Sequence, residues 1–211
     1  AKQVSEGLGI AIPKNIDKPI NQAIGADANT RKHQPSKKKV YLESDAALSQ
    51  ANTKFDSIAT RKIAVLVADG FSMNDFRSMK KALERENAMI KLIAPHGGSI
   101  TCDKGMDHEV DAAIMTTESV LYDAIYIPGG KKSVTNLLKE AKYIKFINEA
   151  FKHCKAIAAD NEGESLINES FASDHKDDKA ILINQKPKSF IDAISKHRNW
   201  NRMEIAKKVP A

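Results

Sequence analysis

Seven consecutive residues, Lys62-Ile63-Ala64-Val65-Leu66-Val67-Ala68, form an almost uninterrupted apolar run that stops at Asp69-Gly70. A run of strand length with no alternation of polar and apolar positions has no side left for water, as in a parallel strand covered on both faces. Such a strand needs helices above and below it. This one feature therefore confines the ordered part of the chain to an α/β architecture.

The residues that follow repeat the theme. Ser72 can cap a helix in which Met73, Phe76, Met79 and Leu83 recur at helical spacing, and Met89-Ile90-Lys91-Leu92-Ile93-Ala94 reads as a second strand ending at Pro95-His96-Gly97-Gly98. Strand, helix, strand makes a βαβ unit. Asp123 to Ile127 supplies the next strand, closed by Pro128-Gly129-Gly130. The helix expected after it carries Tyr143, Phe146, Ile147, Ala150, Phe151 and Cys154 on one stripe. Ala156 to Ala159 then runs into Asp160-Asn161-Glu162-Gly163 and a further helix, Ala180 to Ile183 reads as an edge strand, and Ser189 to His197 as a last helix with Phe190, Ile191 and Ile194 inward. The expectation is a doubly wound, mostly parallel sheet of flavodoxin-like type over residues 61–211.

Residues 1–60 read differently. Gly7, Gly9, Pro13, Pro19, Gly25 and Pro35 break this segment, and no periodicity persists, so it is expected to be an extended N-terminal arm or linker. The chain opens Ala1-Lys2-Gln3-Val4, without Met and without an apolar leader, which reads as an internal start and a cytoplasmic protein. No apolar run approaches the roughly 18 residues needed to span a bilayer, so no membrane partner is expected. The net charge is +6, and the densest basic stretch, Arg31-Lys32-His33 followed by Lys37-Lys38-Lys39, has only Tyr41 nearby, a pattern that suits a solvated linker better than nucleic-acid contact.

Ligands of open α/β sheets gather at the carboxyl ends of the strands. There, the Ala68-Asp69-Gly70 turn, the Tyr126-Ile127-Pro128-Gly129-Gly130 turn and the small-residue strand ending in a sharp elbow resemble the PfpI superfamily, with its class I glutamine amidotransferase-like fold, over about Arg61 to Ile167. Active members place a Cys at the elbow, touched by a carboxylate from the first loop. Matching through the elbow glycine, Gly163, puts Asn161 at the nucleophile position and the acidic position on or near Asp75. Asn161 is no nucleophile, so the resemblance implies a vestigial pocket, with Asp75, His96, Gly129, Gly130 and Asn161 as its candidate residues and none of them catalytic. Cys154 lies on a helix stripe and reads as a buried structural thiol; Cys102 falls in a short β excursion. His96 is the most plausible pocket histidine. His108, His153 and His175 show no metal-ligand spacing, and no metal is expected.

A narrower resemblance spans the whole chain. Val4-Ser5-Glu6-Gly7-Leu8-Gly9-Ile10, the segment from Leu48 to Leu66, and the closing His197-Arg198-Asn199-Trp200 with Val209-Pro210-Ala211 are similar to the C-terminal region of large-subunit haem catalases. The resemblance implies a tetrameric parent enzyme that turns hydrogen peroxide into water and oxygen, in which this chain is a non-catalytic accessory domain beside the catalase core. It implies too that the arm leaves the end of that core. The first reading is then a domain that stabilises the tetramer, with chaperone-like behaviour of the isolated domain, through apolar surface its partner would cover, as a variant. Haem belongs to the parent core, because none of Tyr41, Tyr122, Tyr126 or Tyr143 has an Arg four residues earlier, as the family's haem-ligand motif requires; no cofactor is expected in this chain. The alternative is a free-standing PfpI-type hydrolase or glyoxalase-like enzyme, which the missing elbow cysteine disfavours. A flavin or nucleotide binder would rest on fold analogy alone.

Overall fold

A computed structural model of the chain describes residues 46–52 and 56–209. Most of the expected arm lies outside the described residues.

The sheet has six strands, all parallel. They are β1 (Lys62–Leu66), β2 (Met89–Ala94), β5 (Ala112–Ala113), β6 (Ala124–Ile127), β7 (Ala156–Ala159) and β8 (Ile181–Ile183), in the spatial order β5-β2-β1-β6-β7-β8. The strands β3 (Ser99–Thr101) and β4 (Asp107–Glu109) pair antiparallel as a separate hairpin, which is the short excursion expected around Cys102. Chain order reverses across the β1–β6 boundary, so this is the topological switch point.

Along β1 the side chains divide strictly. Ile63, Val65 and Val67 enter one core with α1 (Met73–Arg85) and α5 (Pro187–Ser195), while Ala64, Leu66 and Ala68 enter the other with α2 (Lys131–Leu137), α3 (Ala141–Lys152) and α4 (Glu164–Asn168). The period of 2 is there, as in any strand, but both faces are buried, which is why the sequence reads as continuous. Ala64, Leu66 and Val67 are 0% exposed, and each larger side chain so buried contributes roughly 1.5–3 kcal/mol.

Helix α1 starts where expected: Ser72 is extended (φ −67°, ψ 109°) and its hydroxyl accepts from the Asp75 N–H. The expected single helix after Gly130 is instead two, α2 and α3, separated by Leu138 to Glu140. The last long helix begins at Pro187, whose fixed φ suits a first helical turn, and ends at Ser195, not His197. A short α6 (Met203–Ala206) follows. Arg202, fully buried, ties this tail to the end of α3 and to the loops that lead into β7 and β8. Its guanidinium bonds both oxygens of Asp178 at 2.7 and 3.0 Å and the carbonyls of Phe151 and Lys155, and it lies 4.4 Å over the Phe151 ring. No helix of the described residues is long and apolar enough to cross a membrane.

Candidate functional site

At the switch point three loops converge: Gly70–Ser72 after β1, Pro128–Gly130 after β6, and Asp160–Gly163 after β7. They touch closely enough to need glycine. A Cβ on Gly163 would lie 2.5 Å from the Ile127 carbonyl oxygen, and one on Gly130, at φ +114°, would lie 2.4 Å from the Gly70 carbonyl oxygen. Other residues would push the loops apart.

Asp75 is in the first turn of α1, half-buried, and its Oδ2 accepts from the Gly129 N–H at 3.1 Å and from Asn161 Nδ2 at 2.9 Å. Asn161 occupies the sharp strand-to-helix turn with φ +48°, a left-handed conformation that Asn tolerates better than most residues. Its N–H donates to Asn184 Oδ1 at 2.6 Å. The Gly130 N–H donates at 2.9 Å to Glu162 Oε2, and that bond holds the Glu162 carboxyl below the usual carboxylate range. The structure thus brings Asp75, Gly129, Gly130 and Asn161 together.

His96 does not join them. It is exposed at the end of β2, its Nδ1 3.1 Å from the Gly97 carbonyl, beside a separate cavity of about 240 Å³ between Asp69 and Lys139. The reason is topological: β2 lies on the far side of β1 from β6 and β7.

Four participants carry no local signal in the sequence. Glu162 and Asn184 are the acceptors just described. Beneath them the Tyr126 hydroxyl donates to Asp160 Oδ2 at 2.7 Å. Burial raises both groups; Asp75 nearby raises Asp160 further, while the Tyr126 hydroxyl opposes it. Only long-range pairing reveals these contacts, so spacing along the chain could not find them.

Chemically the arrangement is closed. The elbow residue has neither thiol nor hydroxyl, and its amide is spent on a carboxylate. The two backbone donors that could receive an oxyanion, the N–H groups of Gly129 and Gly130, are each filled from within by Asp75 and Glu162. Both cysteines are buried, and burial pushes the Cys154 thiol up, away from nucleophilic reactivity. Among the described residues no cluster of His, Cys, Asp or Glu could hold a metal ion.

Residues 59–204 match the family model described as the C-terminal domain found in long catalases. The chain belongs to that family. Its relatives include Catalase-2 of Bacillus subtilis, 34% identical over an alignment of 200 positions that covers 89% of this chain and 27% of that protein, and Catalase HPII of Pseudomonas putida, 31% identical over an alignment of 221 positions that covers 100% and 29%. The catalase C-terminal domain therefore spans about a quarter of the length of the curated relatives it matches. Its fold is that of the DJ-1 and ThiJ/PfpI structures: Drosophila melanogaster DJ-1beta superposes with a TM-score of 0.53 at 14% identity, covering 71% of this chain and 90% of the other, and oxidized Toxoplasma gondii DJ-1 with 0.51 at 19%, covering 71% and 96%. Those structures establish the flavodoxin-like α/β fold of the catalase C-terminal domain and nothing of its chemistry.

Proposed function

We propose that this domain is a non-catalytic accessory part of a long, cytoplasmic haem catalase, residues 1–60 linking it to the catalase core and residues 61–211 stabilising the tetramer that decomposes hydrogen peroxide. One observation carries the reading: the elbow residue, Asn161, is hydrogen-bonded to the carboxylate of Asp75, where a hydrolase of this fold would need a free nucleophile. The residues present do not suit haem either. The three described tyrosines are buried, with the Tyr122 hydroxyl bonded to Thr117 at 2.9 Å and that of Tyr126 to Asp160. Haem then belongs to the preceding core. Removing this domain from a long catalase should leave peroxide turnover per haem near that of the intact enzyme and shorten its half-life at elevated temperature. Turnover lost at once at room temperature, with the tetramer intact, would assign the domain a part in the chemistry instead.

A chaperone-like activity of the isolated domain has one feature in its favour. Met115, Val120 and Leu121 are 69%, 67% and 60% exposed, all in the connection between β5 and β6. Equimolar domain should then slow the thermal aggregation of a client protein, and Val120→Glu should weaken that effect; aggregation unchanged by the domain excludes the activity.

A further inference from the structure

A cavity of about 390 Å³ lies between the end of α3 and the C-terminal α6. Its volume is within the range of small-ligand pockets, roughly 300 to 1,000 Å³. Its apolar lining is Trp200, Met203 and Ala206, and its cationic lining is Lys152, Arg198 and Lys207, with no carboxylate among the lining side chains.

Two of the three cations make no direct ion pair among the described residues. Lys207 is paired with Glu204 at 2.7 Å on the surface, outside the lining. Lys152 makes no ion pair among the described residues. Arg198 uses only Nη1, which donates to the His197 carbonyl at 2.8 Å and lies 3.5 Å from His197 Nδ1, so Nε and both Nη2 hydrogens have no acceptor in the described protein. Burial lowers the Arg198 pKa, Asp123 opposes that, and Arg61 adds to it. A half-buried guanidinium with a free, planar donor edge, lining the same cavity as an indole and a thioether, is a receptor for a planar anion attached to something apolar. An uncharged ligand would leave the donors unmet, and an inorganic anion would leave the apolar lining wet.

We propose that this cavity binds a small amphipathic carboxylate, the carboxylate on the free edge of Arg198 with Lys152 beside it and an aliphatic or aromatic body on Trp200 and Met203. Neither the catalase relatives nor the elbow site assigns a ligand here.

Titration of the full 211-residue chain with octanoate, followed by Trp200 fluorescence, tests this, because Trp200 is the single tryptophan. Saturable change is expected with octanoate and none with octanamide or with acetate at equal concentration and ionic strength. Arg198→Gln should weaken octanoate binding at least tenfold. Because Arg198 is half-buried, two further variants guard against misfolding, Met203→Glu at a side chain 47% exposed and Lys152→Gln at a partly exposed one; Met203→Glu should abolish binding and Lys152→Gln should weaken it several-fold, each with an unchanged circular dichroism spectrum. No saturable response, equal response to octanamide, or full affinity in Met203→Glu would overturn the proposal.

Discussion

Asp75 Oδ2 accepts two hydrogen bonds at once, from the Asn161 side chain at 2.9 Å and from the Gly129 backbone at 3.1 Å, and so pins three loops of the switch point to one carboxylate oxygen. Replacing Asp75 with Ala strands both donors. Hydrogen bonds to a charged group contribute roughly 1.5–3 kcal/mol where buried, and partial exposure here reduces that to about 1–2 kcal/mol in total. Urea unfolding should register the loss as a lower midpoint with an unchanged slope. A midpoint within error of the parent would mean that the clamp does not hold the loops.

The close approach of these loops gives a steeper test. Gly163→Ala would place a methyl 2.5 Å from the Ile127 carbonyl oxygen, and backbone cannot move aside as a side-chain tip can. A cost of about 1–3 kcal/mol is expected for such overpacking. Gly97→Ala, with open space around its Cβ and an ordinary φ, should be within about 0.5 kcal/mol of neutral. The ordering of the two melting temperatures decides the matter.

Much of this fold was legible in the sequence, and what was not has a physical reason. Ile63 to Val67 announced a central strand because burial on both faces leaves a continuous apolar run. The two-residue β5 and the break between α2 and α3 left no such trace: Lys139-Glu140 contains neither Gly nor Pro, and either residue would sit as readily inside a helix. Within the site, Asp75 and Asn161 could be matched through Gly163. Glu162, Asn184 and the Tyr126–Asp160 pair could not, because they meet only after three loops fold together. His96 was drawn in by its place at a strand end, yet β2 stands on the wrong side of β1.

Lys155 is another residue whose environment no local pattern revealed. It is 2% exposed, its Nζ donates to the Ser119 carbonyl at 2.6 Å, and burial, helped by Arg198, pushes its pKa down from the ordinary 10.5 to about 8. The unfolded chain therefore holds this proton more tightly than the folded one. Stability should rise with pH between about 8 and 10.5, by at most about 3 kcal/mol from this group, and the gain should be absent below that window. Comparing unfolding free energies at pH 7.5 and 9.5 in the parent and in Lys155→Met isolates the effect. Equal slopes in the two proteins would refute it.

The Arg202–Asp178 pair carries the C-terminal tail. Burial alone would raise the Asp178 carboxyl, but Arg202, with the Ala180 N–H and Asn199, holds it below the usual range. That depressed value means its stabilisation is complete above the unfolded carboxylate range and is lost as pH falls through the folded value. Arg202→Ala leaves a buried carboxylate unpaired and should cost about 3–5 kcal/mol at pH 7, with a smaller deficit at pH 3. Chemical unfolding at the two pH values measures the difference.

Both thiols should be silent in the native protein. Cys102 and Cys154 are each 4% exposed, so iodoacetamide below pH 7 should label neither within the time that it labels both in guanidinium chloride. Rapid native labelling of one cysteine would reopen the case for a thiol enzyme.

The most direct measurement is oxygen evolution after adding hydrogen peroxide to the purified chain, preincubated with haem, beside haem alone. An accessory domain whose chemistry resides in the preceding catalase core predicts no rate above the haem control. A large protein-dependent rate, abolished by denaturing the chain, would contradict it and place a haem site within these 211 residues.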